Sequence, residues 1–169
     1  MTDKSKIDEL EAASEEHALK ALLREAKRVA VEYYRLTGKP LGVTGEVAEY
    51  EAAEKLGLTL TSARTPAFDA FREIHGRKEF LQIKGRAVSP TDRYRGRVPK
   101  IKTDGEFDAV LLVLLDKSTF EAIEIWRADR ASVRERLSAP GSRARNERGS
   151  MGIRQFKSIA GARPLWSKE

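Results

Sequence analysis

Cysteine is absent from the 169-residue chain, which excludes disulfides, thiol catalysis and thiolate metal centres. Histidine is scarce. His17 and His75 are far apart in sequence and offer little material for a histidine-rich metal site or a paired-histidine mechanism. Aromatic residues make up only 7%. Glycine and proline are missing from the first 36 residues, so nothing there interrupts a helix. Long apolar runs are lacking too. The longest, Ala109 to Leu115, falls well short of the ~20 residues that span a bilayer. The chain opens Met1-Thr2-Asp3-Lys4-Ser5-Lys6 and continues charged, without the apolar core of a signal segment. The expectation is a soluble, cytoplasmic protein with no membrane partner.

What is present is a globular but polar composition, 40% hydrophobic and 34% charged, in a length that suits one ordinary domain. Lys and Arg number 32 against 26 Asp and Glu, a net charge of +6 with an isoelectric point near 9.6. The excess is unevenly spread. Residues 1–36 carry seven basic and eight acidic side chains. Residues 86–103 set Arg86, Arg93, Arg95, Arg97, Lys100 and Lys102 against the single Asp92. Residues 127–148 add seven arginines against Asp129, Glu135 and Glu147. Cations gathered this way suit a polyanion, and arginine suits bidentate phosphate contacts. Tyr94, between Arg93 and Arg95, has the place and the ring to stack on a base.

The hydrophobic pattern predicts a long helix over about 5–36, with Leu19, Leu22, Leu23, Ala26, Ala30 and Tyr33 as its apolar stripe, stopped by Thr37-Gly38-Lys39-Pro40. Residues 1–40 read as a helical extension on an α/β domain of residues 41–169, the whole forming one compact molecule. A second helix is predicted from Thr44, its N-cap, to Leu56, ended by Gly57. It places Glu46, Glu49, Ala53 and Leu56 on one stripe. Two strands, 67–72 and 79–84, flank His75-Gly76-Arg77-Lys78 as a hairpin. Residues 86–103 read as a long loop, and 107–115, lacking alternation, as a strand covered on both faces. A strand over 120–126, a short helix over 131–137, a basic loop and an edge strand over 152–156 complete the reading.

One constellation in this frame carries chemistry. The hairpin brings Asp69 within strand-pairing distance, about 5 Å, of Gln82. Gln82 and Lys84 share one face of their strand. Phosphodiester hydrolysis needs a hard cation beside the phosphate and an activated water. Magnesium prefers oxygen ligands. Asp69 supplies a charged oxygen, Gln82 a neutral amide oxygen, and Ile83 its backbone carbonyl. Glu46, near the start of the second helix, can bind through water. Glu49 on the same stripe is the reserve for that role. Lys84 can orient or deprotonate the water, or stabilise charge on the phosphate. Each residue also has a plainer role: Asp69 as a strand-edge residue, Gln82 and Lys84 as a solvated sheet face, Glu46 as a favourable charge at a helix N-terminus.

The series Glu46, Asp69 and Gln82-Ile83-Lys84 resembles the PD-(D/E)XK nuclease superfamily, over roughly Val43 to Leu115. The resemblance implies a restriction-endonuclease-like fold: a mixed central β-sheet flanked by helices, here with the long N-terminal helix added. It implies a nuclease that needs Mg2+ or Mn2+ and cuts DNA, or RNA. Asp69, Gln82, the Ile83 carbonyl and Glu46 would hold the metal. Lys84 would serve the water, and Arg86 with the following basic loop (Arg93, Tyr94, Arg95, Arg97, Lys100 and Lys102) would hold the backbone. Pairing of two copies, with the N-terminal helix as the interface, fits the same picture. Two departures stand out. Pro66 lies three positions before Asp69 rather than beside it. Gln82 replaces the usual Glu or Asp, which removes a negative charge and predicts weaker metal binding or more dependence on Glu46. The alternatives are a nuclease-fold module that binds nucleic acid without cutting it, or an interaction protein that works through its N-terminal helix.

Overall fold

The computed structural model describes residues 14–168 apart from positions 15–16, 19–20, 23–24, 26–27, 30–31, 34, 39–40, 62–66, 90, 93–94 and 141–148. Pro66, Arg93, Tyr94 and the arginines at 143, 145 and 148 therefore lie outside the described residues. The chain divides into two units, Met1–Leu41 and Gly42–Glu169. In the first, the described residues from Ser14 to Thr37 are helical, with Arg28–Glu25 and Arg35–Glu32 ion pairs one turn apart, both at 2.7 Å.

The second unit is a mixed α/β structure built on a six-stranded sheet. Helix α1 (Val43–Leu56) comes first, then strands β1 (Thr59–Leu60), β2 (Ala70–Ile74), β3 (Arg77–Val88), β4 (Ala109–Asp116) and β5 (Ala122–Asp129). Helices α2 (Arg130–Ser138) and α3 (Ile153–Lys157) follow, and β6 (Arg163–Ser167) closes the chain. The strands lie side by side in sequence order. Only β3 and β4 run parallel, and the other neighbours are antiparallel. The hairpin between β2 and β3 turns on His75 and Gly76, with φ of 50° and 74°. Two positive φ values in a two-residue loop match the right-handed twist of the strands it joins.

Alternation along the strands divides the core. On one face Leu81, Ile83, Leu111, Val113 and Ile125 pack beneath Ala48 and Ala52 of α1. On the other, Val110, Leu112 and Leu114 meet Phe107, Val133, Ile153 and Phe156. Strand β4 serves both cores, which is why its sequence does not alternate. At the far end of the α1 face a charged chain replaces apolar packing. Arg72 and Arg127 both grip Glu79, at 2.6 and 2.7 Å, and Arg127 also reaches Asp129 at 2.9 Å. Arg127 is thus committed to structure and does not add to a polyanion surface.

Three local expectations are corrected. Helix α1 starts at Val43 after Gly42, and no side chain caps it, Thr44 included. Residues 152–156 are helical rather than extended. Ile153 and Phe156 are both fully buried, a three-residue spacing that only a helix puts on one side, and Gln155 Oε1 accepts the Gly152 N–H at 2.9 Å. The sheet's final edge is instead β6, which contains Pro164; an edge strand tolerates the missing N–H.

Candidate functional site

The site begins where β2 stops. Pairing of β2 with β3 ends at Ala70 opposite Leu81, with Asp69 N–H adding one bond to the Leu81 carbonyl at 2.8 Å. Beyond that point β3 continues for seven residues with β4 on one side. Among the described residues no strand pairs with its other edge. The Asp69 carboxylate fills the first gap there: Oδ2 accepts the Ile83 N–H at 2.7 Å. A strand residue's N–H and C=O point to the same side, so the Ile83 carbonyl faces the same open edge as Asp69.

Helix α1 reaches this edge because β3 carries Gly85. A Cβ at Gly85 would lie 2.4 Å from the Ala48 Cβ and 2.7 Å from the Thr44 carbonyl oxygen. The missing side chain lets the helix settle directly on the strand. Between them opens a cleft of about 420 Å³, lined by Thr44, Gly45 and Glu49 of α1, by Asp69, by Ile83 to Ala87 of β3, and by Pro99.

Glu49, Asp69 and Lys84 thus come together on one cleft. Glu46 sits in the first turn of α1 and is not among the lining residues. Glu49, one turn further along, takes the place the sequence reading first gave to Glu46. Lys84 is held below the usual lysine range. Burial is the main cause, partly offset by the Asp69 charge; Lys102 lowers it further and Glu49 raises it.

Gln82 is 3% exposed, and its amide is fully engaged with main chain. Nε2 donates to the carbonyls of Ala67 at 3.2 Å and Lys102 at 3.1 Å, while Oε1 accepts the Lys102 N–H at 3.1 Å. Sequence reasoning missed this partnership, because the segment around Lys102 lies twenty positions away in an irregular loop.

The basic loop divides by task. Arg86 lines the cleft. Arg95 pairs with Asp92 at 3.0 Å. Arg97 donates to the Ser150 carbonyl at 2.9 Å. Lys100 and Lys102 are exposed. Among the described residues no three or more Asp, Glu or His side chains cluster as a metal cage. The cleft carries two carboxylates. No family model matches the chain, and no curated protein matches it in sequence.

Proposed function

We propose that this protein is a divalent-metal-dependent nuclease with a restriction-endonuclease-like fold, acting on DNA at the cleft between α1 and the open edge of β3. The observation that carries this reading is the meeting of Glu49, Asp69 and Lys84 on one cleft, with Asp69 fastened to the Ile83 N–H. The donor set suits magnesium or manganese: two carboxylates and a backbone carbonyl are hard oxygens, and two charges leave room for water. Glu49, Asp69 Oδ1 and the Ile83 carbonyl would hold the ion. The bound ion would supply charge stabilisation at the phosphate and a more acidic water.

The chain's own residues supply the rest. Asp69 is oriented by the β3 backbone rather than by a flexible partner. Lys84, with its proton affinity reduced by burial, is suited to take a proton from water or to face the phosphate across a poorly solvated wall. Arg86 lines the cleft and Lys102 is near enough to act on Lys84; both, with the exposed Lys100, suit backbone phosphates without reading sequence.

The test is plasmid cleavage in magnesium or manganese. Asp69→Ala, by removing a metal ligand, and Lys84→Ala, by removing the group that serves the water, should each cut at least about 100-fold more slowly, while the protein stays folded and still binds DNA. Salt-sensitive DNA binding without cutting by the wild-type protein would instead identify a binding module. Neither binding nor cutting would remove the nucleic-acid reading.

A further inference from the structure

Gln82 occupies the position where the resembled family places an acidic ligand, yet its surroundings describe a different task. The side chain is 3% exposed and spends all three of its hydrogen bonds on two main-chain segments. One segment leads into Asp69: Ala67 sits at φ 81°, a left-handed conformation that a residue with a Cβ adopts only under constraint. The other carries Lys102. These two segments also touch each other, since a Cβ at Gly105 would lie 2.3 Å from the Ala67 Cβ. Three strands of chain therefore meet at one amide, and two of them end in charged groups of the site.

We infer that Gln82 is a positioning residue: its amide clamps the segment before Asp69 to the segment bearing Lys102, and so fixes the Asp69 carboxylate on the Ile83 N–H. It does not touch the ion. A carboxylate in its place could accept the Lys102 N–H but could not donate to the carbonyls of Ala67 and Lys102, and it would face two acceptor oxygens in a buried setting. The amide is required here for its donors, which explains why glutamine suits this position better than the family's acid. The activity arm of this inference rests on the nuclease reading; the structural arm does not.

The experiment compares Gln82→Met, Gln82→Glu and Gly105→Ala with the wild type. Gly105→Ala pushes on Ala67 from the other side and leaves the Gln82 amide in place. The first readout is the Ile83 amide proton by NMR, which a carboxylate acceptor shifts downfield. All three variants should move it upfield, while amides of the β4–β5 ladder stay put. The second is titration with manganese alone. Gln82→Glu should bind no tighter than wild type, and cleavage by Gln82→Glu and Gln82→Met should fall together by about 10–100-fold, the usual cost of losing a supporting partner.

Manganese binding by Gln82→Glu that is tenfold or more tighter than wild type, or cleavage restored above Gln82→Met, would make Gln82 a ligand position and overturn the inference. So would an unmoved Ile83 amide in Gln82→Met and Gly105→Ala. If Gln82→Glu fails to fold while Gln82→Met folds, the penalty of an acid against two carbonyls is itself the expected result. A wild type that neither binds manganese nor cuts DNA removes the nuclease reading, and the Ile83 amide still decides the clamp.

Discussion

At the residue scale the cleft contains one group whose charge the fold resists. Lys84 has its proton affinity lowered in the folded state, mainly by burial. A cation so held favours folding only where it is neutral, above its unfolded value near 10.4. That contribution is lost as pH falls through the lower folded value, below which the full cost of holding the charge is in place. Lys84→Met should therefore raise the thermal midpoint, by roughly 2–4 °C for each kcal/mol relieved, while cleavage disappears. A lowered midpoint by calorimetry at pH 7 would show that the lysine's attraction to Asp69 and Glu49 outweighs its desolvation. Asp69 differs: its Oδ2 closes the first unpaired N–H of the open edge, so it has a structural share as well as its place in the cleft.

At the element scale, α1 is set on β3 by the absence of a side chain. Gly85→Ala would drive a methyl into Ala48 and the Thr44 carbonyl. Overpacking of this kind costs about 1–3 kcal/mol, measurable as a lower urea midpoint. It should also slow cleavage by moving Glu49 away from Asp69. A midpoint within error of wild type would mean that α1 is free to lift.

The same scale shows what the sequence makes legible. The β2–β3 turn is legible because Gly76 sits in the polar stretch His75-Gly76-Arg77-Lys78 between two strand-like runs. Strand β4 was readable because it lacks alternation. The α1 carboxylate was readable as a stripe but not as a residue. Glu46 and Glu49 share that stripe, and only the register against Gly85 places Glu49 on the cleft. The end of the chain is not legible in this way, because Gly152 to Phe156 is too short for periodicity to decide and because β6 contains a proline. The Gln82 contacts were beyond reach, since a neighbour twenty residues off in a loop leaves no local signal.

At the scale of the whole molecule, the two ends of the sheet are held by different forces. Near the cleft the sheet is held by apolar packing under α1. At the hairpin end it is held by the ion chain through Glu79. Burial works to raise the Glu79 carboxyl, but the Arg127 and Arg72 guanidiniums hold it below the usual carboxylate range. A depressed carboxylate contributes stability above its unfolded value near 4.3, and that contribution is lost as pH falls through the lower folded value. Glu79→Gln should therefore cost about 1–2 kcal/mol at pH 7, less than a fully buried pair because solvent reaches part of the cluster. The gap between wild type and variant in urea unfolding should narrow below about pH 4. An equal gap at both pH values would show that Glu79 acts through shape rather than charge.

Strand β4 has a consequence that extends to time. Ala109 to Leu115 are fully buried, with an apolar core on each face and a bonded neighbour along each edge. Their amide protons should trade with deuterium only when the entire α/β unit comes apart, at a rate that reports the global unfolding free energy. Thr59 and Leu60, a two-residue strand on the rim with both residues exposed, should exchange far sooner. Mass spectrometry on peptides from the two regions would read that spread directly, and β4 would serve as the molecule's internal clock for survival of the native state.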